Sequence, residues 1–181
     1  MRTIVVIDYD PVWPAVFEEL RARAWNAVRD VAVSIEHVGS TAVPGLAAKP
    51  IIDISAIVPS SDQVFMAVDR LAAVGYVHRG DLGIEGREAF HSPDGLPAHH
   101  LYVCPRDSPA LANHLAVRNY LRVHPEVAAS YGELKKQLAK RFGSDIDGYI
   151  DGKTGFLLDI LRDAGIQQDA LAAIEAANRR N

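Results

Sequence analysis

Two apolar β-runs, separated by a loop built almost entirely of small residues, constrain this chain more than anything else in it. Residues 31–38 alternate and read as a strand; residues 51–58 (Ile-Ile-Asp-Ile-Ser-Ala-Ile-Val) read as another. Between them, residues 39–50 hold two glycines and two prolines, so they form an ordered loop with at most a short helical turn. Successive strand side chains point to opposite faces. Ile52, Ile54, Ala56 and Val58 therefore share an apolar face that should pack on helices, and Asp53 and Ser55 share the other, the expected open working face. An unpaired carboxylate inside a β-run is costly to bury, so Asp53 needs a partner.

The rest of the chain is arranged around this pair of strands. Thr3–Asp8 is β-branched and apolar and reads as a first strand. From about residue 12 to 28, Trp13, Val16, Phe17, Leu20, Ala24 and Val28 recur with helical spacing. Ser60 or Ser61 can cap a helix over about 62–74 with Val64, Phe65, Val68, Leu71 and Ala72 inward, closed by Gly75. Residues 76–79, 87–91 and 99–104 are β-prone pieces joined by Gly-rich turns. Ser108-Pro109 starts a helix to about His124, Pro125 begins another to about 142, and Gly143 stops it. A helix over 145–164, weakened by three glycines, and an Ala-rich terminal helix over 167–179 complete the pattern. The expected class is α/β (α+β): a mixed sheet with helices over residues 1–107, then C-terminal helices over 108–181, in one domain.

Composition narrows the function classes. A chain of 181 residues can bury a core without staples. Its formal net charge of -4 gives no basic bulk for a nucleic-acid partner. The single cysteine, Cys104, excludes an internal disulfide framework and a cysteine zinc site, and points to a cytoplasmic location. No apolar run approaches the roughly 20 residues of a membrane span, and no secretory signal is evident.

The chemistry-bearing residues each have two readings. Gly39-Ser40 offers backbone N–H groups and a hydroxyl to a phosphate, and Asp53 offers an oxygen to Mg²⁺ or Mn²⁺, which often share carboxylates with substrate phosphates. The plain reading is a structural turn beside a hydrogen-bonded aspartate. Lys49 either neutralises phosphate or is a solvated loop lysine. In His99-His100, alternation puts His99 with Leu101 and Val103, and His100 with Tyr102 and Cys104, so His100 is the one expected to meet Asp53. His37 is placed to approach the same pocket. Arg87, Arg118 and Arg122 are anion-clamp candidates, with Arg118 and Arg122 on one helix face. Tyr131, Lys135 and Leu138 fit amphipathic packing equally well. No nucleophile elbow, Walker loop or dinucleotide fingerprint occurs.

The stretch from Ile35-Glu36-His37-Val38-Gly39-Ser40-Thr41 through Lys49-Pro50-Ile51-Ile52-Asp53-Ile54 resembles the signature of the GrpB family. Trp13 and Phe17, Gly83-Ile84-Glu85-Gly86-Arg87, Phe90, His99-His100-Leu101, Arg118-Asn119-Tyr120-Leu121-Arg122-Val123-His124-Pro125, Tyr131, Lys135, Leu138, Tyr149 and Lys153 continue it in order over roughly residues 5–160. The resemblance implies a nucleotidyltransferase-like fold and a domain also found fused to dephospho-CoA kinase. It implies phosphate contacts at Gly39, Ser40, Thr41, Lys49, Arg87 and Arg118, and a catalytic or metal-binding role for Asp53 and His100. The departures are specific. Ser55 stands where a second acid is expected, His100 where a third is, Tyr102 where the family has His, and Asn119 where it has Asp. The expected function is binding of a nucleotide or small phosphorylated metabolite, with nucleotidyl or phosphoryl transfer as one outcome. The other is a non-catalytic accessory module linked to coenzyme A metabolism.

Overall fold

The computed structural model describes residues 3–167, 171–172 and 174–176. Five strands form one mixed sheet: β1 (Ser34–Val38), β2 (Ile52–Val58), β3 (Val77–His78), β4 (Glu88–His91) and β5 (His99–Pro105). Their spatial order is β1-β2-β5-β4-β3, with β2 and β5 parallel and every other pair antiparallel. The register puts Val38 opposite Asp53, and Asp53 opposite His100. This is the expected fold class.

One face of the sheet is sealed by α1 (Trp13–Val28) and α2 (Val64–Ala72). Trp13, Phe17, Leu20, Ala24 and Val28 form the buried stripe of α1, and they pack with Ile52, Ile54, Ala56 and Val58. α2 differs from its expected phase. A turn at Ser61–Gln63, held by a capping box between Ser60 and Gln63, delays the helix to Val64. Ala67 and Leu71 then face the core, while Phe65, 72% exposed, and Ala72 point outward. Behind β5, His99 is a core residue. Its Nδ1–H donates to the Pro97 carbonyl (2.7 Å), which leaves Nε2 to accept from the Tyr76 hydroxyl (2.9 Å).

The other face is bridged by α3 (Pro109–Val123), α4 (Pro125–Phe142) and α5 (Ile146–Asp163). Ser108 caps α3 through the Leu111 N–H, with Pro109 in the first turn. Leu111 packs on Ile57 and Cys104, so this face is roofed at one end and open at the other. Val43 and Leu46 of the Gly/Pro loop plug into the helical cluster beside Leu121, Tyr131 and Ile160. The loop is thus anchored on the helices, while its ends belong to the sheet.

Thr3–Asp8 is not a strand of the sheet. Ile7 exchanges two backbone hydrogen bonds with Ala48, and the Ile4 N–H donates to the Gly143 carbonyl. The segment is a strap whose Ile4 packs with Leu138 and Tyr149, because its apolar residues find the helical layer rather than a sheet edge. Residues 31–33 likewise precede β1 as a turn. The expected terminal helix lies partly outside the described residues; 171–172 and 174–176 are helical.

The glycines of α5 do not prevent the helix; two of them, Gly148 beside Phe142 and Gly152 beside Leu138, mark its close approach to α4. A Cβ on Gly152 would fall 2.5 Å from Leu138 Cδ2, whereas one on Gly155 would meet nothing within 4 Å. Gly155→Ala should therefore raise stability by up to about 1 kcal/mol through helix propensity. Gly152→Ala should lower it by about 1–2 kcal/mol through overpacking. Urea denaturation distinguishes these; equal effects at both positions would contradict the packing described.

Candidate functional site

The Gly-Ser turn is fixed on all sides. Gly39 has φ +69°, and a Cβ there would strike the Asp53 carboxylate, so only glycine lets the turn pass so close to β2. His37 stacks on Phe17 at 4.5 Å and lies 3.0 Å, Nε2 to Oγ1, from the buried Thr41 hydroxyl. His37 is therefore a support beneath the turn, on the helix-covered face, and not a wall of the pocket as its sequence position suggests. Burial holds its imidazole down at about 4, so it is neutral. Arg118 donates to Glu36 Oε2 (2.7 Å) and to the His37 carbonyl (3.0 Å), and Arg122 donates to the Ala42 carbonyl (2.9 Å). The two arginines do share one helix face. They hold the two ends of the turn, and neither lines the two cavities described below.

Above the turn lies a small polar pocket of about 80 Å³, walled by Ser40, Thr41, Lys49, Asp53, His100, Lys135, Tyr149 and Lys153. Lys135 is only 3% exposed and donates from Nζ to Ser40 Oγ at 2.8 Å. Lys49 and Lys153 both sit against the Tyr149 ring, at 5.6 and 5.3 Å from its centroid. Three lysines thus face one carboxylate. Burial, helped by the neighbouring ammonium of Lys153, brings Lys135 down to about 7; burial and Lys49 bring Lys153 down to about 8. Asp53 is lowered as well, against its own burial. Burial pushes its carboxyl up, but the His100 hydrogen bond and the charges of His100, His114 and Lys153 outweigh that and hold it below its ordinary value.

His100 Nδ1 lies 3.0 Å from Asp53 Oδ1. An ionised carboxylate only accepts, so Nδ1 carries the proton and Nε2 is directed elsewhere. Ser55, expected on the open face, is fully buried; its hydroxyl lies 3.3 Å from Nδ1 of His114 on α3. Burial holds His114 down at about 4. Among the described residues, no three His, Cys, Asp or Glu side chains form a group able to hold a metal ion. The donor set does not fit the two-Mg²⁺ arrangement: one carboxylate, already hydrogen-bonded, lies in a pocket with three lysines.

A second cavity of about 680 Å³ opens from the first and shares Ser40, Asp53 and Lys153 with it. Arg87, which stacks on Tyr102 at 4.7 Å, Asn113 and His114 line its polar side. Val117, Leu121, Leu157, Leu161 and Ile174 line its apolar side. The structure thus brings Gly39, Ser40, Asp53, Lys49, Arg87 and His100 to one connected cleft. Thr41 is a wall residue whose hydroxyl faces His37.

The family model described as GrpB protein matches residues 3–163. The chain belongs to the GrpB family. It is 38% identical over 152 residues to the UPF0157 protein YqkA of Bacillus subtilis, covering 84% of this chain and 44% of YqkA. It is 28% identical over 180 residues to a dephospho-CoA kinase of Mycolicibacterium paratuberculosis, covering 86% of this chain and 44% of that one. The chain thus spans under half the length of both relatives. The crystal structure of GrpB from Enterococcus faecalis superposes with a TM-score of 0.80 at 37% identity, covering 88% of this chain and 96% of that one. The Cid1 poly(U) polymerase with MgGTP bound matches at a TM-score of 0.54 and 16% identity, covering 75% of this chain and 45% of that one, which shows a shared fold. Among the described residues no helix is long and apolar enough to cross a membrane.

Lys135 and Lys153 line the pocket, whereas the sequence reading named them only as matches to the GrpB pattern, with amphipathic packing an equal account of Lys135. The available signal was a lysine inside an apolar stripe, between Tyr131 and Leu138, where nothing but a ligand or a buried partner accounts for it. His114 had no comparable signal, since its role depends on α3 folding over Ser55.

The lysines make a stability prediction. Their native values lie below the roughly 10.4 of an unfolded lysine. Between about pH 7 and 10 the unfolded chain therefore binds more protons, and the contribution of these groups to stability rises with pH. Lys135→Met should stabilise the protein at neutral pH by about 1–4 kcal/mol and flatten that rise. Thermal melts across this range test it; a variant less stable than the parent at neutral pH would contradict it.

Proposed function

We propose that this GrpB-family protein binds the phosphates of a nucleotide or phosphorylated metabolite in the three-lysine pocket, with the ammonium groups supplying the charge neutralisation. The observation that carries this reading is the convergence of Lys49, Lys135 and Lys153 with Ser40 on a small pocket that holds a single carboxylate. A polyanion restores the charge balance there, and in a partly desolvated pocket each ammonium–phosphate contact is stronger than in water. Gly39 and Ser40 contribute backbone N–H and hydroxyl groups. Arg87 lines the larger cavity, where the organic body of the ligand is accommodated.

The nucleotidyltransferase-like fold supports a nucleotide as ligand, as MgGTP is in Cid1. Because the donor set does not fit two metal ions, phosphate binding here is assigned to lysines. The relationship to dephospho-CoA kinases favours a second reading, an accessory module for coenzyme A metabolism. In that reading the diphosphate of a coenzyme A precursor sits on the lysines and its flexible arm lies in the apolar cavity.

Calorimetric titration with ATP, GTP, CTP, UTP, dephospho-CoA and tripolyphosphate, in EDTA and in Mg²⁺ or Mn²⁺, tests both. At least one ligand of the set should bind in EDTA. Lys135→Met or Lys153→Met should weaken it by at least about tenfold, the loss of one charged hydrogen bond. Asp53→Asn should leave tripolyphosphate binding intact or strengthen it. Binding that requires a divalent metal and is lost in Asp53→Asn would overturn the lysine reading in favour of a metal site. Preference for dephospho-CoA over all four nucleotides would select the second reading.

A further inference from the structure

The larger consequence of the geometry concerns His100. It occupies the strand position where a third metal-binding acid is expected, yet its environment is that of an oriented nucleophile. Its Nδ1–H is committed to Asp53 at 3.0 Å, the register partner on the parallel neighbour strand, so strand pairing itself fixes the ring. Carboxylate orientation of one ring nitrogen leaves the other, in the neutral ring, as a directed lone pair. Among the described residues no protein group is hydrogen-bonded to Nε2. The side chain is 48% exposed and lies on the wall of the lysine pocket, so a bound anhydride can reach it. Asp53 lines both the lysine pocket and the larger cavity, so the pair stands where the two meet.

We infer that His100 Nε2 attacks phosphorus of a bound phosphoanhydride and carries the transferred group as a phosphoramidate. The inference rests on phosphate binding in the lysine pocket. In the first half-reaction the Nε2 lone pair forms a P–N bond as the anhydride P–O bond breaks. Attack at the α-phosphorus of a nucleoside triphosphate releases pyrophosphate; attack at the γ-phosphorus releases the nucleoside diphosphate. The lysines take the charge of the leaving group, a role metal ions otherwise fill. The ring becomes positively charged, and the Asp53 carboxylate at Nδ1–H offsets that charge. In the second half-reaction an acceptor hydroxyl attacks phosphorus, its proton passes to solvent, the P–N bond breaks and its electron pair returns to Nε2. Splitting one displacement into two through a covalent histidine needs no second carboxylate, which accounts for Ser55 being buried against His114 instead of facing the cleft.

The experiment is covalent labelling in EDTA with ATP, GTP, CTP and UTP, each radiolabelled in parallel at the α- or γ-phosphorus and followed by denaturation. The expected result is an acid-labile, base-stable label that maps to the peptide containing His100. Retention of the α label means nucleotidyl transfer and retention of the γ label means phosphoryl transfer. His100→Gln should keep its circular dichroism and lose the label completely even at saturating nucleotide. Asp53 is a positioning residue in this scheme. Asp53→Asn should slow labelling about 10²-fold at saturating nucleotide without raising the half-saturating concentration, and Asp53→Glu should recover part of the rate. A parent protein that binds one of these nucleotides in EDTA but acquires no label overturns the inference while leaving the binding proposal standing. A label mapped to Lys135, or retained in His100→Gln, also overturns it. Failure to bind any of the four overturns the inference and leaves the binding proposal to stand or fall with dephospho-CoA and tripolyphosphate.

Discussion

The interaction on which the site depends is the hydrogen bond from the buried Lys135 ammonium to Ser40 Oγ. A lysine at 3% exposure has lost nearly all its hydration, and here it gains a neutral hydroxyl and a single shared carboxylate in return. That exchange is poor, which is why burial brings Lys135 down to about 7. With Lys153 and Lys49 beside it, the pocket is short of negative charge by construction. The proposal of phosphate binding rests on this imbalance rather than on a particular loop motif.

The rest of the molecule makes the imbalance tolerable by removing every freedom the turn has. β2 and β5 set Asp53 beside His100 by register, and Gly39 admits the turn to within contact of that carboxylate. Arg118 and Arg122 fix the carbonyls at its two ends, and His37 supports Thr41 from below. Val43 and Leu46 pin the following loop into the helical layer that delivers Lys135 and Lys153. The sheet thus presents the acid–histidine pair, the helices present Lys135 and Lys153, and the loop joined to both holds the Ser40 hydroxyl between them.

Much of this was legible in the sequence, for identifiable reasons. Alternation over residues 51–58 and 99–104 separated the buried His99 from the pocket-facing His100, because a strand has only two faces. The α1 stripe and the Ser108-Pro109 and Gly143 boundaries were local signals that tertiary contacts did not override. What was hidden was long-range. Arg118 reads as an exposed helix arginine until Glu36, far away in sequence, is brought against it. Phe65 reads as core until a turn shifts the phase of α2. Thr3–Asp8 reads as a strand because a strap and a strand demand the same β-branched residues; only the position of Ala48 separates them. Lys135 looked like packing because its neighbours are packing; its charge becomes informative once the pocket exists.

The central claim is that a polyanion supplies the charge the lysine pocket lacks, and proton linkage tests it most directly. Near pH 8, Lys135 is largely neutral and Lys153 about half protonated. Tripolyphosphate binding should raise both values and draw protons from the buffer. Titration in EDTA in two buffers of different ionisation enthalpy should show net uptake of about one proton per ligand bound, and Lys135→Met should lose most of it. Binding with no proton uptake, or with release, would contradict the account.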